Sequence, residues 1–258
     1  QKLMVPAYSW WYYKLIASEV GGTSVEYPMI VGDKQFNADL NAMRELYASE
    51  KPDMVFISSP NNPTGNSLPI DDLKDILAVY RNSIVVLDEA YKYNGHTDYV
   101  KDLVYTNPNL LVVRTFSKYY ALAGMRIGFA IMGTNLTELA KFANRYLGFN
   151  RLAEDVAIAA LDSKEYYVGI AGKMLEDKEL YYAEMNKLPG VRVFRSDANF
   201  ILAELPRAHM EPLQKYLKER GLIIKFMNEA LLNSHVRITL GTQEENRKLI
   251  DAMKSYFG

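Results

Sequence analysis

The chain has 258 residues, 49% hydrophobic and 24% charged, which is enough to bury one large core or a large and a small one. Its 30 Lys and Arg offset 31 Asp and Glu without any run of like charge, so nothing marks a nucleic-acid or membrane surface. Cysteine is absent, which excludes disulfides, thiolate metal sites and cysteine nucleophiles and fits a reducing cytoplasm, and no apolar run approaches the ~20 residues of a membrane span.

The opening stretch, QKLMVPAYSWWYYKL, lacks the pattern of a secretory signal. Beyond it, β-branched runs predict strands at Thr23–Pro28, Asp53–Pro60, Ser83–Ala90, Leu110–Ser117 and Arg126–Gly133. Between them, LNAMRELYASE and IDDLKDILAVYRN carry apolar residues at helical spacing. Continuous apolar strands separated by amphipathic helices predict an α/β fold with a mostly parallel sheet covered on both faces. After the turn Gly133-Thr134-Asn135, helical text runs from about Leu136 to Leu147, and again from about Ala153 to Lys187. Past Leu188-Pro189-Gly190 the texture changes to VRVFRSDANFILAEL, read as a strand pair. A helix near Glu211–Arg220, strands in LIIKF and HVRITLG, and a last helix at Glu244–Phe257 complete the chain. The expected division is a large α/β domain over residues 1–150, then linking helices and a smaller α+β domain over 151–258. There is no internal repeat and no low-complexity segment.

In open α/β sheets ligands sit beyond the carboxyl ends of the strands, so the polar residues that end these runs are the candidates for a site. SSPNNPTGN (Ser58–Asn66) specifies a tight, rigid turn in which Asn62 is placed to offer its amide to a ligand oxygen. A plain loop is the alternative. VVLDEAY (Val85–Tyr91) ends a buried strand with Asp88 and Glu89, and a buried carboxylate needs a cationic partner. A magnesium-holding nucleotide hydrolase is a competing reading of that strand end, but no G-x-x-x-x-G-K-[ST] run occurs anywhere. RTFSKYYALAGMR (Arg114–Arg126) supplies the cation and places Lys118 behind Thr115 and Ser117. Singly, each of these is an ordinary loop or surface residue. Together they mark successive strand ends.

SPNNPTG, DEAY, the T-x-S-K-x-x-x-L-A-G-x-R-x-G segment and R-I-T-x-G-T in Val236–Thr242 together resemble the class I/II pyridoxal-phosphate aminotransferases, nearest the histidinol-phosphate aminotransferase branch. The resemblance spans nearly the whole chain and keeps order and approximate spacing. It implies the fold type I of pyridoxal-phosphate transferases and a homodimer. It also implies a small-molecule amino donor, histidinol-phosphate-like, with 2-oxoglutarate as the 2-oxo acid. Lys118 would form the Schiff base with the cofactor aldehyde and then move the α-proton. Asp88 would hold the pyridinium nitrogen protonated, and Asn62 and Tyr91 would donate to the ring oxygen. Thr115, Ser117 and Arg126 would hold the cofactor phosphate, the last through a guanidinium fork. Tyr8, in PAYSW, matches the aromatic residue that stacks on the cofactor ring. Arg237 matches the clamp on the substrate α-carboxylate, and Asn199, in SDANFIL, lies in a segment expected near the substrate.

Two departures from the family pattern stand out. Family members begin on the order of ninety residues earlier, with a glycine-containing phosphate loop, so a fragment or a natural truncation is expected. The histidinol-phosphate branch usually carries an arginine where GLIIKF has Lys225, which attracts a substrate phosphate without the bidentate fork. Two other readings remain open: a decarboxylase or lyase on the same cofactor, such as a threonine-phosphate decarboxylase, and a non-catalytic module of the same fold.

Overall fold

In the computed structural model, which describes residues 1–93, 98, 100–143 and 150–258, the chain opens with strand β1 (Lys2–Pro6) and helix α1 (Tyr12–Glu19). There follow β2 (Thr23–Tyr27), the hairpin β3 (Met29–Val31) and β4 (Phe36–Ala38), α2 (Leu40–Glu50), β5 (Met54–Ser58) and α3 (Ile70–Val79). Then come β6 (Ile84–Asp88), α4 (Val100–Thr106), β7 (Leu110–Thr115) and β8 (Gly128–Met132). The six-stranded sheet has the order β2-β1-β5-β6-β7-β8, parallel throughout except for β8, which runs antiparallel to β7. All five strands expected in this region lie in it, shortened at their polar ends. Sequence reading did not name β1, α1, α4 or the β3–β4 hairpin.

The apolar residues of β5, β6 and β7 build the main core. Val55, Ile57, Val85, Leu87, Leu110 and Val112 are buried, and Met43 of α2 and Leu73, Ile76 and Leu77 of α3 close over them. On α1, Tyr13 and Ala17, four residues apart, face Leu3 and Val5 of β1. Asp39 caps α2 by accepting the Ala42 N–H at 3.0 Å.

The expected helix from Leu136 to Leu147 is instead a 3₁₀ run over Thr134–Phe142, and residues 144–149 lie outside those described. Only Leu136 of this run is buried, so it lacks the packed apolar face that sustains most α-helices. The long helical region splits into α5 (Arg151–Asp162) and α6 (Lys164–Met185). The break is at Ser163, whose hydroxyl donates back to the Ala159 carbonyl at 2.8 Å.

The second sheet contains β9 (Arg192–Phe194) and β10 (Phe200–Glu204), then, after α7 (Met210–Glu219), β11 (Lys225–Phe226) and β12 (His235–Thr239). Its order is β11-β12-β10-β9, antiparallel, with α6, α7 and the last helix α8 (Gln243–Phe257) supplying its core partners. The LIIKF strand is cut to Lys225–Phe226, because Ile223 faces solvent at 86% exposure. Among the described residues no helix is long and apolar enough to cross a membrane.

The two sheets are tied together beside the 58–66 loop. Gly65 has φ +79°, and a Cβ there would lie 2.3 Å from Ser196 Oγ, so only glycine permits this approach. Its carbonyl accepts the Asp197 N–H at 2.7 Å, and Arg195 N–H donates to the Lys34 carbonyl at 2.6 Å. Phe36 of β4 is buried with Phe194 of β9, Leu202 of β10 and Met227.

Candidate active site

A cleft of about 890 Å³ opens beyond the carboxyl ends of β5, β6 and β7, walled on the far side by β11 and β12. The first wall comes from the 58–66 loop. Asn61 is buried and works inside the loop, its amide donating to the Tyr8 carbonyl and to Thr64 Oγ1, each at 2.6 Å. Asn62, one residue on, lines the cleft. Its Oδ1 accepts from Arg237 Nη1 at 2.5 Å, which leaves the amide N–H groups as donors for a bound molecule. The peptides before Pro60 and Pro63 are cis.

At the end of β6 the adjacent acids separate, because successive side chains on a strand point to opposite faces. Asp88 lines the cleft: Oδ1 accepts the Ala90 N–H at 2.9 Å and Oδ2 accepts the Tyr13 hydroxyl. Burial raises its pKa above the usual aspartate value, while these two hydrogen bonds act to lower it. Glu89 turns away and takes the cation that the buried strand end requires, from Arg114 Nε at 2.6 Å and Lys92 Nζ at 3.1 Å. So the RTFSK segment supplies a partner to Glu89 through Arg114, whereas Asp88 is held by a phenol and a backbone amide.

Tyr91 lines the cleft with its ring edge-on to Phe200, centroids 5.0 Å apart, and Lys118 Nζ lies 5.3 Å from the Tyr91 ring centre. After β7 the chain turns tightly. Thr115 Oγ1 accepts the Ser117 N–H at 3.0 Å and sits 2.9 Å from Ser117 Oγ, so the two hydroxyls present one polar surface. Arg126 closes the turn in the left-handed region at φ +57°, with Nη1 on the Ala123 carbonyl at 2.9 Å. Thr115, Ser117, Lys118 and Arg126 all line the cleft. Opposite them, Arg237 of β12 and Lys225 of β11 are cross-strand partners, and both face the cleft. Arg237 stands over the Phe200 ring at 5.2 Å, and its Nε is buried without a partner.

Tyr8 and Asn199 stand outside the cleft lining. The Tyr8 ring packs edge-on to Phe36, centroids 5.2 Å apart, and Asn199 accepts the Leu240 N–H through its carbonyl at 2.9 Å. Residues that sequence reading did not single out also line the cleft, among them Trp10, Trp11, Tyr13, Ser58 and Glu229. For Tyr13 the only signal was its spacing of four residues before Ala17 on one helix face, because exposed Leu15 and Ile16 blur the polar side of that helix. Charge is unbalanced across the lining, where Lys118, Arg126, Lys225 and Arg237 face only Asp88 and Glu229. Among the described residues none of these four cations makes an ion pair with a carboxylate, so the cleft suits an anionic ligand.

The sequence profile described as aminotransferase class I and II matches residues 1–253. A histidinol-phosphate aminotransferase of Ruminiclostridium cellulolyticum is 32% identical over 253 residues, covering 98% of this chain and 70% of that protein. The crystal structure of the histidinol-phosphate aminotransferase from Clostridium acetobutylicum superposes with a TM-score of 0.89 at 22% identity, covering 99% of this chain and 78% of that one. That of Sinorhizobium meliloti, solved in complex with pyridoxal-5'-phosphate, gives a TM-score of 0.84 at 22% identity, covering 99% and 71%. The chain therefore belongs to the class I and II aminotransferases, pyridoxal-phosphate-dependent transferases of fold type I.

Proposed function

We propose that this protein moves an amino group between an amino acid or amino-alcohol phosphate, histidinol-phosphate-like, and 2-oxoglutarate, with Lys118 as the covalent anchor of the cofactor. The observation that carries the proposal is the composition of one cleft: an amine, a carboxylate, two paired hydroxyls and an arginine on one side, and two cations on the other.

That donor set fits pyridoxal phosphate. The Thr115 and Ser117 hydroxyls with the Arg126 guanidinium suit its phosphate. The Asp88 carboxylate suits a ring nitrogen that must keep its proton, and the free Asn62 amide and the Tyr91 hydroxyl suit the ring oxygen. When bound, the group supplies an electron sink for the pair left on the substrate α-carbon. Asp88 holds a proton at the ring nitrogen, and Lys118 Nζ takes the proton from the α-carbon and returns it during transfer. Arg237 orients the substrate by its α-carboxylate, the buried Nε being a donor in want of an acceptor. Lys225, beside Arg237 on the same face, attracts a second anionic group such as a substrate phosphate. Tyr8, through its carbonyl, holds the loop that presents Asn62. The proposal includes a cytoplasmic homodimer.

The test loads the full chain with pyridoxal phosphate, reduces it with borohydride and maps the labelled peptide. Label on Lys118, and none in Lys118→Ala, is the expected result; label on another lysine sinks the assignment. In the same preparation, 2-oxo acid formation against carbon dioxide release separates amino transfer from decarboxylation.

A further inference from the structure

We infer that Tyr13 is a positioning residue for Asp88, holding the carboxylate in the one orientation that presents its remaining lone pairs to the cleft. The inference rests on the reading of Asp88 as the partner of the cofactor ring nitrogen.

The geometry is specific. A carboxylate offers about four acceptor positions. The Ala90 N–H occupies one on Oδ1 at 2.9 Å and the Tyr13 hydroxyl one on Oδ2. Because the two donors sit on different oxygens, rotation of the carboxylate plane breaks one bond or the other. Both residues line the cleft, so the acceptor positions left over are the ones a bound ring meets. Tyr13 is itself immobilised. It is 3% exposed, its ring lies on Phe56 at 4.7 Å between centroids and edge-on to Trp10 at 5.7 Å, and it packs with Leu3, Val5 and Ala17. A donor fixed on a helix and packed on the sheet places the hydrogen bond without further ordering cost.

The contact also bears on charge. Burial disfavours ionised Asp88, and the neighbouring Glu89 carboxylate works in the same direction. The Tyr13 hydroxyl and the Ala90 amide oppose both by bonding to the charged form. The other ionisable groups on the cleft wall that face Asp88 are Tyr91, Lys118, Arg126, Lys225, Glu229 and Arg237. Tyr13 does not itself ionise in this range, because burial and the adjacent Asp88 raise its pKa far above the usual tyrosine value. Toward Asp88 it therefore acts as a donor. A tyrosine that merely anchored α1 to the sheet would leave the titration of Asp88 untouched.

The experiment compares the full-length parent, Tyr13→Phe, Asp88→Asn and the double variant. In the cofactor-free protein, carboxyl-carbon NMR with labelled aspartate follows the Asp88 titration, assigned by its loss in Asp88→Asn. Tyr13→Phe keeps the ring and its packing, and it is expected to move the Asp88 midpoint upward by roughly one unit, the size of one hydrogen bond to a charged group. Pyridoxal phosphate affinity is read from the fluorescence of Trp10 and Trp11, the chain's 2 tryptophans, both on the cleft wall. It is expected to weaken about tenfold in Tyr13→Phe, with the double variant no weaker than Asp88→Asn alone. An unmoved midpoint in folded Tyr13→Phe, or losses that add in the double variant, overturns the inference. If Tyr13→Phe does not fold, the chemical shift of the Tyr13 ζ-carbon in the unaltered protein is followed against pH instead: a step at the Asp88 midpoint supports the contact, and a flat line overturns it. Full affinity in Asp88→Asn removes the ring-nitrogen reading itself, while the cofactor-free titration still tests whether Tyr13 holds the carboxylate.

Discussion

Arg114→Leu removes the Nε–H that Glu89 Oε2 accepts at 2.6 Å. The Glu89 side chain is 0% exposed, so the carboxylate left behind has no water to replace the lost donor. Breaking a buried pair by deleting one partner costs about 3–5 kcal/mol. Lys92, at 3.1 Å from the other oxygen, retains part of the compensation, which moves the expectation to the low end of that range. The second arm of Arg114 reaches Asp98, whose side chain is 63% exposed, and such a contact adds only about 0–1 kcal/mol. The expected loss is therefore about 3 kcal/mol, read by urea unfolding, or about 6–12 °C in Tm for a chain of this size. The double variant Glu89→Leu/Arg114→Leu is expected to regain part of it, since the buried carboxylate is gone while Lys92, whose side chain is 10% exposed, exchanges Glu89 for the longer 3.9 Å contact to Asp98. A loss below about 1 kcal/mol in Arg114→Leu, or no recovery in the double variant, would refute the claim that Glu89 is a buried, charge-paired carboxylate.

Two further outcomes concern the joint between the sheets and its buried histidine. Gly65→Ala combines a left-handed φ of +79° with a Cβ 2.3 Å from Ser196 Oγ, so it is expected to lower stability by about 2–4 kcal/mol and to weaken ligand binding in the cleft; a neutral result would show that the loop and the 196–197 segment do not meet. His235 is buried beside Phe194 and Phe36, and burial lowers its pKa below the usual histidine value. The unfolded chain then takes up a proton near pH 6.5 that the folded chain does not, so this residue's contribution to stability falls as pH drops from about 7 to 5.5. Unfolding free energies of the parent minus those of His235→Gln should slope downward toward acid by up to about 1.4 kcal/mol per pH unit; a flat difference removes the effect.

The sheet was legible because its strands are written as continuous apolar runs. Ile84–Asp88 and Leu110–Thr115 contain consecutive β-branched or leucine residues, and Met54–Ser58 runs Met-Val-Phe-Ile, the continuous apolar text of strands covered on both faces. The short edge elements were not legible. Thr134–Phe142 carries helical text but buries only Leu136, and LIIKF is β-rich yet pairs only at Lys225–Phe226. Local propensity is a weak determinant where no neighbouring surface exists to bury the apolar side.

At the cleft the same division holds, residue by residue. The run of polar residues at strand ends is a property of the chain itself: once β5, β6 and β7 are parallel, Asn62, Asp88, Thr115, Ser117 and Lys118 must emerge at one edge, because each of these strands delivers its carboxyl end there. What the chain alone did not determine is which partner each group meets. DEAY states that two acids end a buried strand, but only the alternation of side chains about the folded sheet sends Glu89 to Arg114 and Asp88 to the cleft. Tyr13 lies 75 positions before Asp88 and Arg237 lies 175 after Asn62, separations over which spacing carries no information. Those contacts exist because α1 packs on β1 and the small sheet docks on the 58–66 loop, and packing of that kind is decided by tertiary shape.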